Sequence, residues 1–178
     1  MTRLDLPAWL TTQGLTRLGI ELGVAGGAYS AHLLSHAPIR RLYSVDAWAG
    51  DRGHDLRQCE SATRRLAKFG ARSIVLRARF DEALALFDDG ALCFAYIDGY
   101  AHTGNESGGT LRDWWAKVRP GGVLAGHDYD PVRWPRNVAA VDAFRDERGR
   151  AGEVADWFTT EEAECASWVV RKAGGGGD

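Results

Sequence analysis

The sequence predicts an α/β protein: a mostly parallel sheet with helices on both faces. Three observations predict it. Short apolar runs alternate five times with segments of helical periodicity, the pattern of right-handed strand–helix–strand crossovers. One run, Ala91-Leu-Cys-Phe-Ala-Tyr-Ile97, is apolar throughout, as befits a central parallel strand covered on both faces. A glycine turn, Gly23 to Gly27, joins the first run to the first crossover helix and leaves room for a ligand to approach bare backbone.

In chain order, residues 4–13 suit a short amphipathic helix through Leu6, Trp9 and Leu10. Leu18 to Leu22 is the first strand, and a helix starting near Ala28 carries Tyr29, Leu33 and Leu34. Pro38 breaks the pattern before the second strand, Arg41 to Val45, which ends at Asp46. Asp55 can cap a helix with Leu56, Cys59, Thr63 and Leu66 along one face. A third strand at Ser73–Leu76 precedes a short helix at Glu82–Phe87. The apolar fourth strand ends abruptly at Asp98 and gives way to a polar loop, Gly99 to Gly109. A helix bearing Leu111, Trp114, Trp115 and Val118 follows, and Pro120-Gly-Gly122 turns the chain into a fifth strand, Val123–Ala125. That strand also ends in polar residues, His127 and Asp128, and a helix follows from about Asn137 to Arg148. Two last strands, near Glu153–Phe158 and Cys165–Arg171, suit an antiparallel pair.

The 178 residues are most simply one domain, 1–173, with a flexible glycine-rich tail, 174–178. Such a chain can bury roughly 70% of its unfolded surface without disulfides or metals. A net charge of −2 gives no electrostatic case for nucleic acid or an anionic membrane, and no apolar run is long enough to span a bilayer. Cys59, Cys93 and Cys165 have neither disulfide nor zinc spacing, so reduced thiols and a cytoplasmic location are expected.

In a sheet of this kind ligands bind at the carboxyl ends of the strands, where strand order reverses. Asp46, Asp98, His127 and Asp128 all end strands, so they should share one rim. Asp46 suits hydrogen bonds to ribose hydroxyls, or it merely caps its strand end. A charged Asp98 ending an apolar strand is costly unless paired or liganded. With His127 and Asp128 it makes two carboxylates and an imidazole, a set that fits magnesium through its oxygens and manganese, iron or zinc through its nitrogen. The same residues allow a metal-free reading, with His127 or His102 as general base. They also allow a structural one, in which they only tie down loops.

The run Glu21-x-Gly23 with Gly26-Gly27 resembles the first motif of class I S-adenosylmethionine-dependent methyltransferases, with Ala25 at the usual middle glycine. It lacks the G-x-G-x-x-G of dinucleotide-binding proteins, which counts against a nicotinamide-dependent oxidoreductase. Tyr43-Ser-Val-Asp46, Phe94-Ala-Tyr-Ile-Asp-Gly99, His102 and Asp113 to Tyr129 extend the resemblance over about residues 17–145. They are similar to small bacterial methyltransferases related to catechol O-methyltransferase and the macrocin-type sugar O-methyltransferases. The resemblance implies a Rossmann-like, seven-stranded methyltransferase fold with the last strand antiparallel. It implies S-adenosylmethionine held by Glu21, Gly23, Val24 and Gly27, by Asp46 and Ala47, and by Asp98, with either the Trp48 ring stacked on the adenine or the backbone around Ala78 and Arg79 flanking it. It also implies metal ligands at Asp98, His127 and Asp128. The chain departs from the family where His127 replaces the usual Asp, where the Asp98–His102 spacing is one residue longer, and where no lysine closely follows Asp98.

The function these residues suggest is methyl transfer from S-adenosylmethionine to a small-molecule acceptor, with a hydroxyl oxygen as the target and a divalent cation as helper. A non-catalytic S-adenosylmethionine-binding protein would keep Glu21, Gly23 and Asp46 but has no need of the Asp98–His127–Asp128 cluster. A short chain with little lid of its own also suits a homodimer that completes the site.

Overall fold

The computed structural model describes residues 1–50, 53–99, 106–162 and 165–175. His102, most of the loop beyond Gly99 and the end of the expected tail lie outside the described residues.

Seven strands form one sheet in the order β3-β2-β1-β4-β5-β7-β6. They are β1 (Leu18–Leu22), β2 (Arg41–Asp46), β3 (Ser73–Arg77), β4 (Leu92–Ile97), β5 (Val118–Tyr129), β6 (Val154–Thr159) and β7 (Ala166–Lys172). β1 to β5 run parallel, and β7 lies antiparallel between β5 and β6. The chain fills the sheet outwards from β1 through β2 to β3, then returns to place β4 against the other side of β1. That reversal between β1 and β4 opens a crevice at their carboxyl ends.

The helices are α1 (Leu6–Thr12), α2 (Ala28–His36), α3 (Leu56–Leu66), α4 (Phe80–Leu84), α5 (Gly109–Lys117) and α6 (Pro135–Arg150). β4 shows why both faces need cover. Its pleat sends Phe94 and Tyr96 to one side, where they pack with Leu6 and Leu10 of α1, Leu33 and Leu34 of α2 and Leu66 of α3. Ala95 and Ile97 go to the other side, with Leu111, Trp114 and Trp115 of α5 and Val141 and Phe144 of α6. All six residues of β4 are buried. The three cysteines are unpaired, and among the described residues no helix is long and apolar enough to cross a membrane.

Expected boundaries move in two elements that frame the site. α4 begins at Phe80 rather than Glu82, because Glu82 reaches back to the backbone N–H of Arg79 at 2.8 Å and closes the first turn earlier. β5 is much longer than Val123–Ala125: its pairing with β4 resumes on both sides of Pro120-Gly-Gly122 through a register shift between Leu92 and Phe94. His127 and Asp128 are therefore the last strand residues before Tyr129. Asp55 caps α3 as its position suggests, accepting from the N–H groups of Arg57 at 2.9 Å and Gln58 at 3.2 Å.

Candidate active site

The register sets the strand ends level. Leu22 pairs with both Val45 and Ile97, and Ile97 pairs with Gly126. The next residues, Gly23, Asp46, Asp98 and His127, therefore share the carboxyl rim, as expected.

Gly23 has φ +91°, and a Cβ there would sit 2.5 Å from the carbonyl oxygen of Asp98. Glycine is needed to let β1 leave the sheet across the end of β4. Ala25 takes the left-handed region without being glycine, at φ +48°. The Asp46 carboxylate holds this turn: Oδ2 accepts from the N–H groups of Val24 and Ala25, both at 2.9 Å, and Oδ1 from Trp48 N–H at 3.0 Å. The strand-end cap is thus real. Oδ1 keeps a free acceptor direction, since an ionised carboxylate offers about four. Gly27, at φ +76°, starts α2. Trp48 needs correction as an adenine-stacking ring: it is 1% exposed, packs with Val24 and Ala62, and its indole N–H donates to Ala25 O at 2.9 Å. Its ring is used up in holding the turn. Ala47 and Arg79 instead line a cavity of about 360 Å³ together with Asp46, Phe80, Leu84 and Trp114. Ala78 N–H is tied to Asp46 O at 3.1 Å, which fixes the floor beside it.

Glu21 lies behind the turn and is 1% exposed. Its register partner is Ser44. Ser30, in the first turn of α2, donates to Glu21 and lies 2.7 Å from Ser44 Oγ. Burial pushes the Glu21 carboxyl up to about 8, against the opposing help of the Ser30 hydrogen bond.

Asp98, His127 and Asp128 converge: each offers a ligand atom, and these atoms lie within 4.8 Å of one another. His127 Nδ1 is 3.1 Å from Asp128 Oδ1 and 3.5 Å from Asp98 Oδ1. Burial raises the Asp98 pKa, although Arg3 and His127 act in the other direction. Asp128 is only 7% exposed, has φ +61°, and its Oδ2 is buried without a partner. Asn137 at the start of α6 grips this bend, its amide donating to the carbonyls of His127 at 3.2 Å and Asp128 at 2.8 Å. An orphaned carboxylate oxygen beside a second carboxylate and an imidazole fits a hard or borderline divalent cation.

Sequence reasoning missed Asn137 and, above all, Arg3. Arg3 Nη2 lies 2.5 Å from Asp98 Oδ2, and the guanidinium sits 3.9 Å from the centre of the Tyr29 ring. The contact joins residues 95 apart in sequence, so no local pattern announces it.

Residues 20–129 match the sequence-family model described as "Methyltransferase domain". No curated protein matches the chain at the sequence level. Among solved structures, the O-methyltransferase from Bacillus cereus in complex with S-adenosylhomocysteine superposes with TM-score 0.67 at 17% identity, over 95% of this chain and 80% of that one. TomG from Streptomyces achromogenes, an O-methyltransferase of tomaymycin synthesis in complex with S-adenosylmethionine, gives 0.70 at 19% identity, over 97% and 79%. The N-methyltransferase NodS from Bradyrhizobium japonicum gives 0.65 at 15%, over 96% and 94%. The fold is shared by enzymes with different acceptor atoms. The family match over most of the sheet identifies the chain: it belongs to the methyltransferase domain family and carries the Rossmann-like class I methyltransferase fold.

Proposed function

We propose that the protein transfers the methyl group of S-adenosylmethionine to a hydroxyl oxygen of a small-molecule acceptor, beside a divalent cation held by Asp98, His127 and Asp128. The observation that carries this reading is the convergence of those three side chains, one of which, Asp128, has its Oδ2 buried and unpartnered. A divalent cation bound by Asp98, His127 and Asp128 would supply Lewis acidity toward the acceptor hydroxyl. The chain's own residues do the rest. Gly23 and Val24 bring the turn's backbone up to the cofactor, Asp46 Oδ1 receives a ribose hydroxyl, and Ala47 and Arg79 flank the base in their cavity. Asp98 supplies negative charge for the ammonium group of the cofactor's amino acid end, and the buried Glu21 orients that end through the backbone of the turn. Methyl transfer from a sulfonium then depends mainly on in-line positioning.

A second reading is favoured by one distance. Asp128 Oδ1 lies 3.1 Å from His127 Nδ1, so a proton on Nδ1 leaves Nε2 free to act as a base, oriented by a carboxylate. The two readings part in one experiment. Methyl transfer to a panel of hydroxylated small molecules is measured before and after exhaustive chelation, with metal content recorded. Loss on chelation and recovery with magnesium or manganese is the expected result. Full activity in metal-free protein leaves His127 as the base. Cofactor binding without turnover on any acceptor would instead favour a non-catalytic binding protein.

A further inference from the structure

We propose that Arg3 is the anchor for the carboxylate of the cofactor's amino acid end, delivered into the site by the segment that precedes α1. The proposal rests on the S-adenosylmethionine reading of the site.

The placement of Arg3 is built, not incidental. Leu6 and Leu10 of α1 are each 1% exposed and fix the helix on the sheet. The Arg3 backbone is held on both sides: its N–H donates to Glu162, and its carbonyl accepts from Tyr29 Oη at 3.3 Å. The guanidinium lies against the Tyr29 ring and 5.1 Å from the centre of the Tyr96 ring. Tyr29 is the second residue of α2, just past the glycine turn, and Tyr96 precedes Ile97 and Asp98 on β4. The guanidinium therefore lies at the reversal between β1 and β4, where the motif residues meet.

Its hydrogen bonding is incomplete. Nη2 is taken by Asp98, but Nε is buried and has no partner. A buried donor left unmade is costly, and a guanidinium accommodates a carboxylate through two parallel N–H bonds. The amino acid end of S-adenosylmethionine carries one ammonium and one carboxylate. Beside Arg3 stands Asp98, an acid for the ammonium, while the guanidinium is the cation for the carboxylate. Each charged group of the amino acid end thus meets a side chain of opposite sign. Asp98, once it faces the cofactor's cationic groups, can release Arg3 to the carboxylate.

The test is a calorimetric titration of the full chain with S-adenosylmethionine and with decarboxylated S-adenosylmethionine, which lacks only the carboxylate. The wild type should prefer the intact cofactor by about 10- to 100-fold, the range for hydrogen bonds to a charged group. Arg3→Gln should remove that preference by weakening the intact cofactor, with the decarboxylated one unchanged or tighter. Arg3→Lys, which keeps the charge but loses the fork, should fold normally and retain part of the preference. A preference unchanged in both variants overturns the proposal. So does tighter binding of both ligands to Arg3→Gln, which would make Arg3 an occluding residue. Failure of the wild type to bind either ligand removes the cofactor reading itself, and is distinguished by that.

Discussion

Glu21 and Asp128 are both buried acids, and the way each is partnered predicts opposite behaviour. Glu21 keeps its proton in the folded protein up to about pH 8, whereas the unfolded chain releases it near the ordinary value of about 4.3. Between those values the native state binds more protons than the unfolded state, so stability falls as pH rises, by at most ~1.4 kcal/mol per pH unit. Burial raises Asp98 as well and adds to the same slope. Urea denaturation of the cofactor-free protein across this window should show the decline, and Glu21→Gln should flatten it. A wild-type profile that rises with pH would contradict the burial argument. Asp128, in contrast, has a buried oxygen with no partner. Asp128→Asn should lower manganese affinity at least about tenfold by calorimetry and change stability by less than about 1 kcal/mol, because the oxygen it replaces has no hydrogen bond to lose. Both acids were legible in the sequence as strand-end or motif residues. Arg3 was not, since its role depends on α1 docking against a sheet formed much later in the chain.

At the level of elements, the turn between β1 and α2 is the most constrained piece of backbone. Gly23 combines a left-handed φ with a clash for any Cβ against the Asp98 carbonyl. Gly23→Ala should therefore destabilise by ~3 kcal/mol or more, the left-handed penalty of ~1–2 kcal/mol adding to displacement of β4's end. Ala25 already pays that left-handed penalty at φ +48°. Ala25→Gly should leave stability within ~1 kcal/mol of the wild type, relief of strain offsetting the extra freedom of the unfolded chain. Thermal melts of the two variants should separate them clearly, and a tolerated Gly23→Ala would refute the close approach. The turn, the buried β4 and the Asp55 cap were readable because each depends on local chemistry: glycine spacing, an unbroken apolar run, a capping side chain. The length of β5 was not, because pairing with β4 and β7 carries the strand past a Pro-Gly-Gly that locally signals a turn. Trp48 was misjudged for a related reason. Its exposure is decided by α3, which packs Ala62 over it.

Across the whole molecule, the site is assembled from the ends of β1, β2, β4 and β5, on a single rim. The outer pair, β6 and β7, contributes no residue to the clusters described, and β6 is reached only through β7. Ligand binding should therefore stabilise the protein unevenly. With S-adenosylhomocysteine at about 100 times its dissociation constant the native state gains ~2.7 kcal/mol, which for a chain of this size raises Tm by roughly 5–11 °C. Hydrogen exchange locates that gain. Amides of the turn from Gly23 to Tyr29, of Asp46 to Trp48, and of Asp98 and Gly99 should slow markedly. They line the rim proposed to hold the ligand, so their opening should compete directly with binding. Amides of β6, Val154–Thr159, open from the far edge of the sheet and should slow only as far as their exchange requires global unfolding. The opposite rim offers the sharpest control. The starts of β1 and β2, around Arg17 and Arg41, belong to the same two strands yet face away from the crevice. If their amides were protected more than those of Gly23 and Asp46, the ligand would lie on the wrong side of the sheet, and every role assigned to the strand ends would fall together.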